Sequence, residues 1–155
     1  MNTFEDFYNT HRRRLFSYLL KMSGDPEVAA DILQESFARY LGRYGGREAK
    51  VAVLYRIARN AFLDEQKKRQ RNENMEHEPT DKGANQEHTT IVREEFWQMQ
   101  QALEKLAKDE KDILLLAVSG DLKYQEIADI LAISVQNVKV KVHRARVKLR
   151  NLLSA

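Results

Sequence analysis

The sequence predicts an all-α protein of two small helical domains joined by a flexible acidic linker, the second domain containing a helix-turn-helix. Apolar residues recur at three- and four-residue steps along most of the 155 residues, and no stretch shows a convincing two-residue alternation. Residues 73–92 lack this periodicity and are polar and acidic, with Pro79 and Gly83 among them. We therefore expect one domain over residues 1–72, a linker over 73–92 and a second domain over 93–155.

Composition excludes several classes of protein. The chain has no cysteine, which removes disulfides, thiolate catalysis and cysteine-based zinc sites. It has no run of about 18 apolar residues, and its N-terminus lacks the basic-then-apolar order of a secretory signal. We expect a cytoplasmic protein without membrane insertion. The 4 histidines show no ligand spacing, so neither a metal nor another cofactor is expected.

The first helical pattern predicts one or two helices that end near Gly24. Asp25 and Pro26 then predict the start of a second helix, roughly Pro26 to Tyr44, because Asp caps free N–H groups and Pro suits the first helical position. The face of this helix expected in the core holds Leu33, Phe37 and Tyr40. The opposite face holds Asp31, Gln34 and Glu35, and the spacing alone fits either a paired-carboxylate site or a solvated surface.

A third helix is predicted from about Ala49 to Arg71, after a loop at Gly45-Gly46. Its buried stripe is Leu54, Ile57, Ala58, Ala61 and Phe62. The other face combines basic side chains, an aromatic ring and an amide: Tyr55, Arg56, Arg59, Asn60, Lys67 and Gln70. That combination suits a nucleic-acid strand, although a solvated helix end explains the basic residues equally well.

Helical periodicity resumes near Ile91, and a further helix is predicted over Ile113 to Val118, ending at Ser119-Gly120. Two final helices meet at Ile133-Ser134, where Ser134 can cap the second. Between Lys139 and Arg150 the chain has six basic residues and no carboxylate. A short helix, a tight turn and a longer basic helix are typical of a DNA-reading helix-turn-helix, the alternative being a helical hairpin with a solvated basic face.

Three motifs together resemble bacterial RNA polymerase sigma factors of the sigma-70 family. Residues 31–37 resemble the family's D-x-x-Q-E-x-F signature, and residues 54–60, Leu-Tyr-Arg-Ile-Ala-Arg-Asn, resemble its W-L-Y-R-I-A-x-N segment. Residues 124–128, Tyr-Gln-Glu-Ile-Ala, with Val138-Lys139 and residues 144–146, are similar to its C-terminal motif. The order of the motifs and the presence of regions 2 and 4 alone resemble the extracytoplasmic-function (ECF) group.

The resemblance implies a set of partners and no enzymatic activity. Asp31, Gln34 and Glu35 would bind the β′ clamp helices of core RNA polymerase, with Phe37 packed behind them. The second domain would meet the β flap. Promoter DNA is the other partner, and an anti-sigma factor is expected by resemblance only.

The resemblance also divides promoter contacts between the domains. The residues implied at the −10 element, where a base is flipped from the non-template strand, are Tyr44, Gly46, Arg47, Glu48, Tyr55, Arg56, Arg59, Asn60 and Lys67. Those implied at the −35 duplex are Ser134, Gln136, Asn137, Lys139, Val140, Lys141, His143, Arg144 and Lys148. Within this second set Lys139, Val140 and His143 are the expected base readers, and the other basic residues suit phosphate.

Two positions depart from the family pattern. Val53 stands where the family usually has tryptophan, which puts any stacking contribution to strand separation in doubt. Gln136-Asn137 replaces the usual Gly-Thr at the start of the recognition helix, so the −35 preference is expected to be unusual.

Two other functional classes compete with this interpretation. A stand-alone helix-turn-helix repressor or activator would use only the second domain, and it would have no need of the face at Asp31, Gln34 and Glu35. A small hydrolase using Asp31 and Glu35 would need an activated nucleophile, a metal set or a glycine-rich phosphate loop, none of which the sequence shows.

Overall fold

The computed structural model describes residues 3–45, 50–73 and 91–154, and every regular element in these ranges is an α-helix. The helices are α1 (Thr3–Ser23), α2 (Pro26–Tyr44), α3 (Val51–Glu73), α4 (Ile91–Glu104), α5 (Lys108–Val118), α6 (Tyr124–Leu131) and α7 (Val135–Ser154). The all-α prediction is therefore confirmed. Among the described helices, none combines the length and apolarity needed to cross a bilayer.

Local capping explains where α1 ends and α2 begins. The N-terminal pattern forms one helix, which stops before Gly24, a residue with φ of +71°. The Asp25 carboxylate then accepts hydrogen bonds from the backbone N–H groups of Glu27 and Val28, at 3.0 and 3.4 Å. A cap of this kind stabilises a helix by about 1 kcal/mol. Pro26 occupies the first turn, as the sequence predicted.

Helices α1, α2 and α3 pack around a core rich in aromatic rings. Phe7 stacks on Tyr40 with ring centroids 4.9 Å apart, and both residues are buried. Phe37 is buried as predicted and meets Tyr8 at 4.7 Å. Leu33, which was also expected in the core, is only partly buried and packs against the core from its edge.

Helices α4 to α7 include the predicted helix-turn-helix, formed by α6 and α7. The Ser134 hydroxyl accepts a hydrogen bond from the Asn137 N–H at 3.1 Å, so the predicted cap is present. Val138, Val142 and Ala145 are buried on the inner face of α7. Helix α5 begins at Lys108, five residues before the predicted Ile113, because the Glu110 carboxylate accepts from the Ala107 N–H at 2.9 Å and closes the first turn.

The turn between α6 and α7 contains the one non-glycine residue with positive φ in the described ranges, Ala132, at φ 57°. A left-handed conformation costs a non-glycine residue about 1 kcal/mol through contact of its Cβ with the backbone. We expect Ala132→Gly to raise the free energy of unfolding by about 1 kcal/mol, measured by urea denaturation. The control is Ala38→Gly in the exposed middle of α2, which should lower it by about 1 kcal/mol. A loss of stability in Ala132→Gly would contradict the strain assigned to this turn.

The two groups of helices also contact each other, which the sequence did not predict. Helix α1 packs against α5, and α3 packs against α6. Buried residues from both groups, such as Leu15 and Leu54 in the first and Leu116 and Ile127 in the second, belong to one hydrophobic core. In this arrangement, called closed below, α1–α3 and α4–α7 cover part of each other's surface.

Candidate functional site

The first candidate surface is the outer face of α2. Asp31, Gln34 and Glu35 are exposed there, and no group of carboxylates and histidines in the described part of the chain could hold a metal ion. Glu35 pairs with Arg39 one turn later, at 2.6 Å. The arrangement is that of an accessible acid-and-amide surface backed by the buried Phe37.

The same face of α2 continues into apolar and small residues that the sequence interpretation missed. Leu41 is 43% exposed, and Ala38 and Gly42 are exposed beside it. A Cβ added at Gly42 would meet nothing within 4 Å. At 100° per residue these positions fall with Gln34 and Asp31, so a helical wheel could have identified them. The face is thus flat and partly apolar, with acidic and amide groups around it.

The second candidate surface is the outer face of α3, where the predicted residues divide into two groups. Arg56, Asn60 and Lys67 are exposed, whereas Tyr55 is fully buried and Arg59 is partly buried. Tyr44, at the end of α2, is 38% exposed, with its ring 5.1 Å from that of Tyr40. The predicted residues Gly46, Arg47 and Glu48 lie outside the described residues.

Asp112 of α5 explains why Arg59 is partly covered. Its Oδ2 accepts from Arg59 Nε at 2.7 Å, and its Oδ1 accepts from the Tyr18 hydroxyl at 2.8 Å. The Asp112 side chain is only 8% exposed, so this carboxylate depends on the two donors for its stabilisation. The contact joins α5 to both α1 and α3.

Asp121, in the connection between α5 and α6, makes a second contact of the same kind. Its Oδ1 accepts from Arg14 Nη1 at 2.9 Å, and its Oδ2 accepts from the Tyr55 hydroxyl at 3.0 Å. His11 Nδ1 lies 3.2 Å from Oδ1. The Asp121 side chain is 2% exposed. Tyr18, Asp112 and Asp121 were all absent from the sequence interpretation, since no local pattern relates them.

The protonation states follow from burial and from these carboxylates. Burial first, and the neighbouring Asp112 second, raise the pKa of Tyr18 well above its ordinary value. Burial and Asp121 likewise raise the pKa of Tyr55. The hydrogen bond to Asp121 raises the pKa of the Arg14 guanidinium. Both phenols therefore remain protonated donors over the physiological pH range.

The third candidate surface is the outer face of α7, and it is open to solvent. The predicted residues that are exposed in this region are Ser134, Gln136, Asn137, Lys139, Val140, Lys141, His143, Arg144 and Lys148. Val140 is 45% exposed and lies among these polar and basic side chains.

One predicted residue of this third surface already forms an ion pair with another helix. Lys148 Nζ donates to Glu110 of α5 at 2.9 Å. The Ala107 backbone N–H and Lys148 together lower the pKa of Glu110. A phosphate contact by Lys148 would have to replace this ion pair.

Comparison with known families assigns the chain. Residues 7–72 match the family described as Sigma-70 region 2, and residues 96–149 match Sigma-70, region 4. The chain belongs to the sigma-70 family. The two matches occur in the order expected from the motifs, and together they account for most of this sigma factor's length.

Similar proteins place the sigma factor in the ECF group. It is 29% identical to the ECF RNA polymerase sigma factor EcfG of Rhodopseudomonas palustris, over 90% of this chain and 78% of that protein. It is 26% identical to the RNA polymerase sigma factor YlaC of Bacillus subtilis, over 96% of this chain and 91% of that protein. Its fold resembles the sigma factor RpoE of Bartonella quintana, solved in complex with the anti-sigma factor NepR. The TM-score is 0.78 at 21% identity, over 100% of this chain and 99% of that one.

Proposed function

We propose that this ECF-type sigma factor binds core RNA polymerase and directs promoter-specific transcription initiation. The observation that carries the proposal is the presence, in one chain, of an exposed acid-and-amide face on α2 and an exposed basic recognition helix. A stand-alone repressor would use the second surface and have no use for the first. The domains acting at the two promoter elements would be residues 1–72 and 93–155, joined by 73–92.

In this proposal α2 docks on the β′ clamp helices. Asp31, Gln34 and Glu35 supply charge and hydrogen-bonding groups to a basic partner helix. Ala38 and Gly42 would let that helix approach closely, and Leu41 would bury apolar area against it. Contact with the β flap is assigned to the second domain.

The outer face of α3 would hold the single-stranded −10 element. Arg56 and Lys67 would neutralise phosphates, and Asn60 would contact a base edge. Tyr55 and Arg59 join this surface only when the second domain moves away, since both are engaged in the closed arrangement. Tyr44 precedes residues 46–49 in the sequence, and base capture is assigned to Tyr44 and this segment.

The outer face of α7 would read the −35 duplex. Lys139, Val140 and His143 would contact base edges, Val140 through a thymine methyl group, while Lys141 and Arg144 would contact phosphates. Ser134, Gln136 and Asn137 are near the N-terminus of the helix, where hydroxyl, amide and N–H groups suit a phosphate. Tethering the two DNA-binding surfaces would add avidity at a correctly spaced promoter.

The proposal includes a cytoplasmic location, no enzymatic activity and an anti-sigma partner. The fold similarity to RpoE, whose structure includes the anti-sigma factor NepR, supports the last of these. Such a partner would act by covering the α2 face or by holding the DNA-binding surfaces closed.

The test is transcription with sigma-free core polymerase and a library of promoter sequences. We expect the chain to give transcripts from a small set of related promoters, and core polymerase alone to give none. A repressor or activator would bind duplex DNA without core polymerase and yield no transcripts. Absence of transcripts together with sequence-specific duplex binding by the chain alone would therefore replace the proposed function with this alternative.

A further inference from the structure

The contacts between the two helix groups place two carboxylates against hydrogen-bond donors of α1 and α3. Asp112 and Asp121 bring two carboxylates from the α5–α6 side to four donors on the other side, Arg14, Tyr18, Tyr55 and Arg59. All four distances lie between 2.7 and 3.0 Å. Guanidinium and hydroxyl groups are also common donors to the phosphates of a nucleic-acid backbone.

We propose that Arg14, Tyr18, Tyr55 and Arg59 form one anion-binding surface with two alternating occupants. In the free chain the occupants are the carboxylates of Asp112 and Asp121. In the initiation complex the occupant is the phosphate backbone of single-stranded promoter DNA. The proposal rests on the proposed function, and it adds Arg14 and Tyr18 to the DNA-binding residues and makes closure and DNA binding mutually exclusive.

Burial argues that the two occupants exclude each other. The Asp112 and Asp121 side chains are 8% and 2% exposed, and Tyr55 is completely buried. A DNA strand cannot reach Tyr55 or the Nε of Arg59 while these carboxylates remain in place. A carboxylate inserted beside a phosphate would in turn be strongly repelled, so the strand can bind only after α5 and α6 have moved away.

Additional contacts hold the closed arrangement at the end of α1. Lys111 Nζ donates to the Met22 carbonyl at 3.1 Å, and Gln100 Nε2 donates to the Lys21 carbonyl at 2.9 Å. These carbonyls belong to the last turn of α1, where a cation and donor groups are favoured. The closed arrangement therefore has two kinds of polar contact. DNA would not compete for the carbonyls at the end of α1, but it would compete with Asp112 and Asp121 for their donors.

The DNA-facing side of the recognition helix stays exposed when the two helix groups are in contact. Its predicted DNA contacts are exposed in the same arrangement, as are Arg56, Asn60 and Lys67 on α3. The free chain can thus meet duplex DNA through α7, whereas full binding of a single strand requires opening.

The decisive variant is Asp112→Asn with Asp121→Asn, which keeps the side-chain sizes and removes both charges. Its matched control is Asp109→Asn with Asp129→Asn, which makes the same charge change at exposed positions on α5 and α6. Because the chain has no cysteine, a fluorophore pair can be attached at Asp64→Cys and Lys108→Cys, exposed positions on α3 and α5. Affinity is measured with a labelled 20-nucleotide single strand of mixed sequence, without polymerase.

We expect the decisive variant to show lower energy transfer than the control and about tenfold tighter binding of the single strand. Apparent affinity rises with the fraction of molecules in the open, binding-competent form. Unchanged energy transfer would overturn the role of the carboxylates in closure. Lower energy transfer with unchanged affinity would overturn the shared surface.

Two further measurements distinguish a failure of this proposal from misfolding of the double variant and from a failure of the proposed function. Should circular dichroism show that the double variant is unfolded, Tyr18→Phe takes its place, since it removes one hydrogen bond to Asp112 and keeps the ring. It should lower energy transfer in the same direction, and no change would overturn the proposal. Transcription by the unaltered chain with core polymerase is measured separately, so its absence refutes the proposed function and not the closure.

Discussion

Glu35→Lys is expected to weaken binding to core polymerase on the order of a hundredfold, because placing a cation opposite a basic helix costs several kcal/mol. Glu35 is exposed and pairs only one turn along its own helix, with Arg39, among the described contacts. Its replacement should therefore leave the fold intact. Binding is measured by fluorescence anisotropy of labelled chain titrated with sigma-free core enzyme.

The control for this prediction is Glu95→Lys, which makes the same charge change at an exposed position on α4. It should bind core polymerase within about twofold of the unaltered chain, since exposed substitutions away from an interface have small effects. Equal affinity of Glu35→Lys and Glu95→Lys would refute the assignment of α2 as the docking helix.

Lys139→Ala is expected to change which −35 sequences are used, with a loss of about tenfold at the preferred promoter. A base-edge contact contributes about 1–3 kcal/mol of discrimination at one position, and its loss relaxes the preference there. Transcription from a library randomised over the −35 element measures this directly. A promoter profile identical to that of the unaltered chain would contradict base reading by Lys139.

Lys141→Ala is the matched comparison, because Lys141 is likewise exposed on α7 but is assigned to phosphate. We expect weaker binding of all −35 sequences alike, and a salt dependence reduced by about one counterion. A changed sequence preference in Lys141→Ala, with an unchanged preference in Lys139→Ala, would show that Lys141 reads a base and that Lys139 does not.

Residues whose interactions are with near neighbours in the sequence were the ones predicted correctly. The Asp25 cap and the Ser134 cap depend on residues two or three positions away along the chain, and both were predicted correctly. The α5 start was missed because Ala107 lacks the side chain that usually marks a cap, and the signal was Glu110 three residues later. Leu41 was missed although its periodicity was visible, because exposed apolar residues are common and only its position beside Gln34 makes it informative.

The sequence by itself determined the helices, the helix-turn-helix and the family, since helical periodicity, capping and motif spacing are all properties of neighbouring residues. Only the tertiary structure decided that Tyr55 and Arg59 are engaged in the free chain. Their partners are 66 and 53 residues away, and Arg14 and Asp121 are 107 residues apart. Such pairs depend on how α1 and α3 pack against α5 and α6, and that packing is set by the shape of the whole core.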